Sequence, residues 1–75
     1  MGNEQAELVR RAVGALPPAS RAVLVLREYH DLSYQEIAAA LDIPVGTVMS
    51  RLNYARGQLR LKLEPLLRQA EVEYD

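Results

Sequence analysis

Pro17-Pro18 and Pro44 cut this chain into stretches too short for any one of them to hold a fold alone. The residue before a proline avoids the α region, and a proline fits well as the first residue of a helix. Between the cuts, apolar residues recur at helical spacing. Val9, Ala12, Val13 and Leu16 share one face of a first helix, for which Asn3 is the candidate cap. A second helix is expected from Pro18 to about Tyr29. Its centre, Ala22-Val23-Leu24-Val25-Leu26, is apolar all round. A helix of that kind is covered on more than one side, so either the first helix covers its second face or a partner does. Period-2 alternation is missing throughout, so no strand is expected.

After a turn at His30-Asp31-Leu32, Ser33 and Glu36 stand at the spacing of a capping box. Leu32 and Ile37 hold the two positions of a hydrophobic staple around it. Tyr34, Ile37, Ala38 and Leu41 give the stripe of a third helix only eight or nine residues long. Asp42 then tolerates a left-handed backbone, Ile43 is an apolar plug, and Pro44 opens a fourth helix. The core stripe of that helix is Val45, Val48, Leu52, Ala55 and Leu59. Pro65 removes one backbone bond and usually kinks or ends a helix. A short helix, a tight turn and a longer helix make a helix-turn-helix, here at about 33–54, with small Ala38 where the pair must cross closely. The expectation is an all-α fold, one small four-helix domain over residues 1–75, ending in an acidic tail at about 64–75. Ile37, Ala38, Leu41, Ile43, Val48 and Leu52 are expected to be buried together with Val23 or Leu26.

Composition removes several classes of function. No cysteine is present, so disulfides and thiolate metal sites are out of reach, and one histidine builds no zinc site. No apolar run is longer than Ala22 to Leu26, which is far too short to span a membrane. The first residues are polar and no signal-peptide core follows them, which sets the expectation of a cytoplasmic protein. No cofactor, metal site or catalytic residue is expected. His30 and Asp31 lie side by side in a turn with no nucleophile partner, and Glu28, Asp31 and Glu36 are too scattered for a metal cluster.

The net charge of −1 conceals a strong asymmetry. Residues 44–62 carry Arg51, Arg56, Arg60 and Lys62 and no acid, while the segments on either side are net acidic. Phosphate binding needs local potential rather than net charge. The N-terminal part of a recognition helix points at base edges. Gly46, Thr47, Ser50, Arg51, Asn53 and Tyr54 lie off the core stripe there. Gly46 permits close backbone approach, Thr47 and Ser50 can reach phosphates or bases, and Arg51 is the candidate for a bidentate guanine contact. Met49 is placed to meet a thymine methyl or to pack on a neighbour. At the start of the third helix, Tyr34 and Gln35 have free backbone N–H groups suited to a phosphate.

Four stretches, "LPP", "LRE", "LSYQEIA" and "IPVGTVMSRLNYAR", fall in an order and spacing that resembles region 4 of bacterial sigma factors of the extracytoplasmic-function group, over Leu16 to Leu67. The resemblance implies a four-helix domain that reads the minus-35 promoter element through its fourth helix. It also implies docking on the β-subunit flap of RNA polymerase core, and often capture by an anti-sigma factor. Family DNA contacts fall here on Arg27, Thr47, Met49, Ser50, Arg51, Asn53 and Tyr54. Met49 stands where a lysine or arginine is usual, and Tyr54 where a basic residue is frequent, so weak binding by the domain alone is expected. The family's region 2, which melts the minus-10 element, is not in this sequence, and the expectation is a domain of a longer factor. Two rival readings are a helical module that binds only protein, through the second helix and Leu59, Leu63, Leu66 and Leu67, and a stand-alone helix-turn-helix regulator.

Overall fold

The computed structural model describes residues 4–74, with side chains described as far as Leu66. The proposed cap Asn3 and the tail residue Leu67 therefore fall outside the described side chains. Four helices make up the fold: α1 (Glu4–Gly14), α2 (Pro18–Glu28), α3 (Tyr34–Leu41) and α4 (Val45–Tyr74). No strand occurs among the described residues.

The core forms where the apolar stripes converge. Val13, Leu16, Val23, Leu24, Ile37, Ala38, Val48, Leu52 and Ala55 are one buried cluster. Val23, Ile37, Val48 and Leu52 are the largest side chains that are essentially inaccessible, one on each of α2 and α3 and two on α4. Complete burial of side chains this size is worth about 1.5–3 kcal/mol each. Leu41, Ile43 and Leu26 pack on the cluster only half-buried, so the expected core is right in composition but its rim is wetter. Leu41 and Ile43 sit at the turn itself, where one side of each must face water.

The apolar second helix is covered differently from the expectation. α3 and α4 pack on it, while α1 lies mainly against α4. α1 is tied to α2 at its end instead, where Arg21 Nη1 donates to the Gly14 carbonyl at 3.0 Å. A cation suits the unsatisfied carbonyls of a helix C-terminus. α4 runs through Pro65. The proline leaves the Leu61 carbonyl without its helical partner, yet Leu61 and Pro65 are both exposed, so water is at hand there.

Candidate nucleic-acid interface

The junction of α3 and α4 is specified by local chemistry. Ser33 is extended, and its Oγ accepts from the Glu36 N–H at 3.0 Å. Glu36 Oε1 accepts from the Ser33 N–H at 2.7 Å, which completes the capping box. The Ser33 N–H is the main cause, and the Ser33 hydroxyl the second, of a Glu36 carboxyl held below its ordinary value of 4.5. Neither Tyr34 nor Gln35 has an intrahelical acceptor for its N–H, because both stand in the first turn. At the other end Asp42 is left-handed, with φ 56°. Its N–H reaches the Ala39 carbonyl at 3.4 Å, and the Ile43 N–H reaches the Ala38 carbonyl at 3.0 Å. That pair of bonds is a Schellman closure, and apolar Ile43 plugs it against the core. The Pro44 carbonyl then accepts from Thr47 and Val48. Pro44 thus caps α4 from outside, one position earlier than its expected place as the first helical residue.

A helix advances about 100° per residue, so positions spaced by four and three lie in one stripe. Val48, Leu52 and Ala55 are the buried stripe. One flank carries Met49, Asn53, Arg56 and Arg60, and the other carries Thr47, Arg51, Tyr54 and Gln58. Gly46 and Ser50 lie at the back, away from the core. Met49 and Tyr54 are 46% and 49% exposed. Asn53, Ser50 and Gly46 are exposed too, and Thr47 and Arg51 are half-buried. A Cβ built on Gly46 would meet nothing within 4 Å, so the fold itself does not demand glycine there. The Ser50 hydroxyl donates to the Gly46 carbonyl at 2.9 Å, so its proton is already used on its own helix and its lone pairs are what it offers outward.

The arginines separate into two groups. Arg27 is half-buried, with Nη1 donating to the Leu32 carbonyl at 2.8 Å and its guanidinium 5.2 Å from the centre of the Tyr34 ring. It braces the turn between α2 and α3, a task the sequence pattern did not reveal. This bond uses one of the five N–H donors of a guanidinium. Tyr34 is correspondingly half-buried, with its ring occupied, while Gln35 is exposed. Arg56 donates from Nη2 to Glu28 Oε1 at 2.9 Å. The Glu28 hydrogen bond, with smaller help from the Tyr34 hydroxyl, holds the Arg56 guanidinium above its ordinary range. Arg51, Arg60 and Lys62 enter no ion pair among the described residues. The Glu28–Arg56 pair spans twenty-eight positions, and no periodicity could have announced it.

Sequence reading thus placed Gly46, Met49, Ser50, Asn53 and Tyr54 on an exposed surface of α4, and the structure brings them together there with Thr47 and Arg51 on the flank. Tyr34, Gln35 and Arg27 gather at a second corner, where α2 ends and α3 begins. Among the described residues no group of three histidine, cysteine, aspartate or glutamate side chains could hold a metal ion. Among the described residues no helix is long and apolar enough to cross a membrane.

A capped short helix, a left-handed turn, and a longer helix that buries one stripe and presents cations beside another define a helix-turn-helix domain of the DNA-binding class. Residues 6–59 match the family model described as Sigma-70, region 4, and the chain belongs to that family. It is 44% identical over 68 residues to the ECF RNA polymerase sigma-E factor of Escherichia coli strain K12, and equally to that of Salmonella typhi. Those 68 residues are 91% of this chain and 36% of each relative. The RNA polymerase sigma-H factor of Pseudomonas aeruginosa is 45% identical over 62 residues, 83% of this chain and 32% of the relative. The chain therefore spans about a third of the length of the curated relatives it matches.

Proposed function

We propose that this chain is the part of a sigma factor that reads the minus-35 element of promoter DNA for transcription initiation by bacterial RNA polymerase, and that it works in the cytoplasm as one domain of a longer protein. The observation that carries this reading is the outer surface of α4, where Arg51 and Arg60 enter no ion pair among the described residues and share that surface with Gly46, Met49, Asn53 and Tyr54. Arg51 is the guanine reader; Met49, Tyr54, Asn53 and Thr47 meet base edges or sugar; Ser50, Gly46 and the first N–H groups of α3 lie against the backbone. Arg27 supports the α3 corner and contacts phosphate with the donors that remain to it. No residue is assigned a catalytic role.

Polymerase is the second partner. An open, mainly apolar groove of about 240 Å³ runs between α1 and α4, lined by Leu8, Ala12, Ala15, Leu63 and Leu66 together with the cations Arg11 and Lys62. It suits attachment to the core enzyme at the β-subunit flap, and an anti-sigma factor that covered this groove or α4 would compete with weak contacts only. Attachment matters because the free domain has few cations for phosphate. With Z phosphates neutralised, affinity falls with salt at a log–log slope of about −0.9Z, and Z of roughly two to four is expected here. Tethering to polymerase supplies the missing affinity as effective concentration.

The test is selection of duplexes from a pool randomised over ten or so base pairs, followed by fluorescence anisotropy of the 75-residue chain on the best duplex and on its scramble. A recovered consensus with weak, salt-sensitive binding is the expected result. Recovery of no consensus sinks the minus-35 reading. Nanomolar, salt-insensitive binding by the free chain would instead mark a self-sufficient regulator.

A further inference from the structure

Arg56 and Arg60 share one flank of α4, but only Arg56 is held in an ion pair. Its partner Glu28 is the last residue of α2, and Tyr34, the first residue of α3, lies near enough to help hold the guanidinium charged. Three helices therefore meet at Arg56. In a helix-turn-helix the first helix crosses the DNA backbone while the second enters the groove. The place where the start of α3 comes beside the middle of α4 is thus a phosphate position, and the cation standing there is already matched by a carboxylate.

Stability does not account for this pair. The side chains of Arg56 and Glu28 are 44% and 47% exposed, and a pair this open to water contributes little to folding. The helices are joined by Val23, Ile37, Val48, Leu52 and Ala55, which are buried without it. What the pair does change is the field that a duplex meets. With Arg56 matched by Glu28, α4 presents Arg51 and Arg60 to phosphate, and the corner carries no net charge.

We propose that Glu28 sets the ratio of promoter to non-promoter binding by keeping the Arg56 charge in reserve. The inference rests on the minus-35 reading above. A duplex docked in register brings a phosphate to the corner of α3 and α4, close enough to draw on the guanidinium, which has five N–H donors and spends one on Glu28. A loosely held duplex does not draw the guanidinium away from Glu28, so its phosphates meet a pair with no net charge there. The same side chain thus weakens non-specific association while leaving the docked complex its full set of cations.

Glu28→Gln removes the charge and keeps the shape. Anisotropy of the full chain on the selected duplex and on its scramble, over a salt series, reads the effect. Binding to the scramble should tighten by roughly threefold to tenfold, and its log–log salt slope should steepen by about 0.9, one further phosphate. Binding to the selected duplex should gain less, so the ratio falls. Glu28→Asp keeps the charge and should keep the ratio close to the original. In an Arg56→Gln background, Glu28→Gln should change scramble binding by less than about twofold and leave the slope alone. Melting curves of the single variants should overlay the parent, because the pair is exposed. An equal gain on both duplexes, an unchanged slope, or the same gain without Arg56 would overturn the inference while leaving the minus-35 reading in place. Absence of any preference in the parent chain would overturn both.

Discussion

The two faces of α4 answer to different constraints. On one, Val48, Leu52 and Ala55 are sealed against α2 and α3, and any change of volume is felt by several neighbours. On the other, Gly46 has open space where a side chain would go, and Met49 and Tyr54 stand nearly half exposed. Arg51, on the flank between the two faces, enters no ion pair among the described residues. A helix anchored this firmly along one stripe holds the opposite side in a fixed position at no cost to the fold. Residues there are free to be chosen by what they touch outside the domain. The comparison predicts that stability and DNA binding can be changed separately by mutating one face or the other.

The largest effect belongs to the buried face. Leu52→Ala should destabilise the chain by about 2–5 kcal/mol, the range for leucine truncation in a packed core. Because a domain this small has a thin margin, thermal melting should show a large fall or no cooperative transition at all. DNA affinity should drop only in proportion to the unfolded fraction. A Leu52→Ala chain that stays folded and still loses its base preference would break the separation of the two faces.

Arg51→Ala makes the converse change. It should weaken binding to the selected duplex by about 1–3 kcal/mol and relax preference at one base pair. The melting curve should not move by more than about 0.5 kcal/mol, the usual range for a surface substitution. Equal losses on selected and scrambled duplexes would make Arg51 a phosphate anchor and not a reader.

Much of this organisation was legible before the structure, because the signals are local. Ser33 and Glu36 are three residues apart, and the capping box they announce is present. Asp42 tolerates the left-handed conformation, and its φ of 56° shows it there. The stripe through Val48, Leu52 and Ala55 needed only a period of 3.6 residues. What was not legible is non-local. Nothing in the sequence says that Arg27 turns back to the Leu32 carbonyl, or that Glu28 reaches Arg56 across the fold. The same limit explains the second helix: its apolar character showed that it is covered, but which elements cover it depends on how the helices cross. A positive φ at Asp31 was missed as well, although aspartate in a short turn is the kind of residue that adopts it.

The cap at the start of α3, away from both faces of α4, gives a smaller effect with a pH signature. Ser33→Ala should cost about 1 kcal/mol, as loss of an N-cap serine does elsewhere. Glu36 adds a dependence on acid. Its folded pKa lies below the ordinary 4.5, held there first by the Ser33 N–H. A depressed carboxylate contributes stability that is present above its unfolded pKa and is lost as pH falls through the folded value. The parent should therefore lose stability below about pH 4.5 more steeply than Glu36→Gln, which has no proton to take up there. Parallel acid limbs would mean that the carboxylate is no part of the cap in solution.

Gly46→Ala sharpens the comparison most, because its two consequences should have opposite signs. Glycine inside a helix is less favourable than alanine by up to about 1 kcal/mol, and the added methyl would meet no protein atom within 4 Å. Nothing on the folded side opposes the gain, although position 46 stands in the first turn of α4, where the benefit is at the low end. The variant should thus melt slightly higher than the parent. If the backbone of Gly46 is approached by DNA, the methyl occupies the space the duplex needs, and affinity for the selected duplex should fall while stability rises. Folding alone would favour alanine here, so a loss of affinity in this variant would explain the glycine by contact outside the chain. A variant that melts higher and binds as well as the parent would remove that explanation, and would restrict the DNA-facing surface of α4 to the stretch that begins at Thr47.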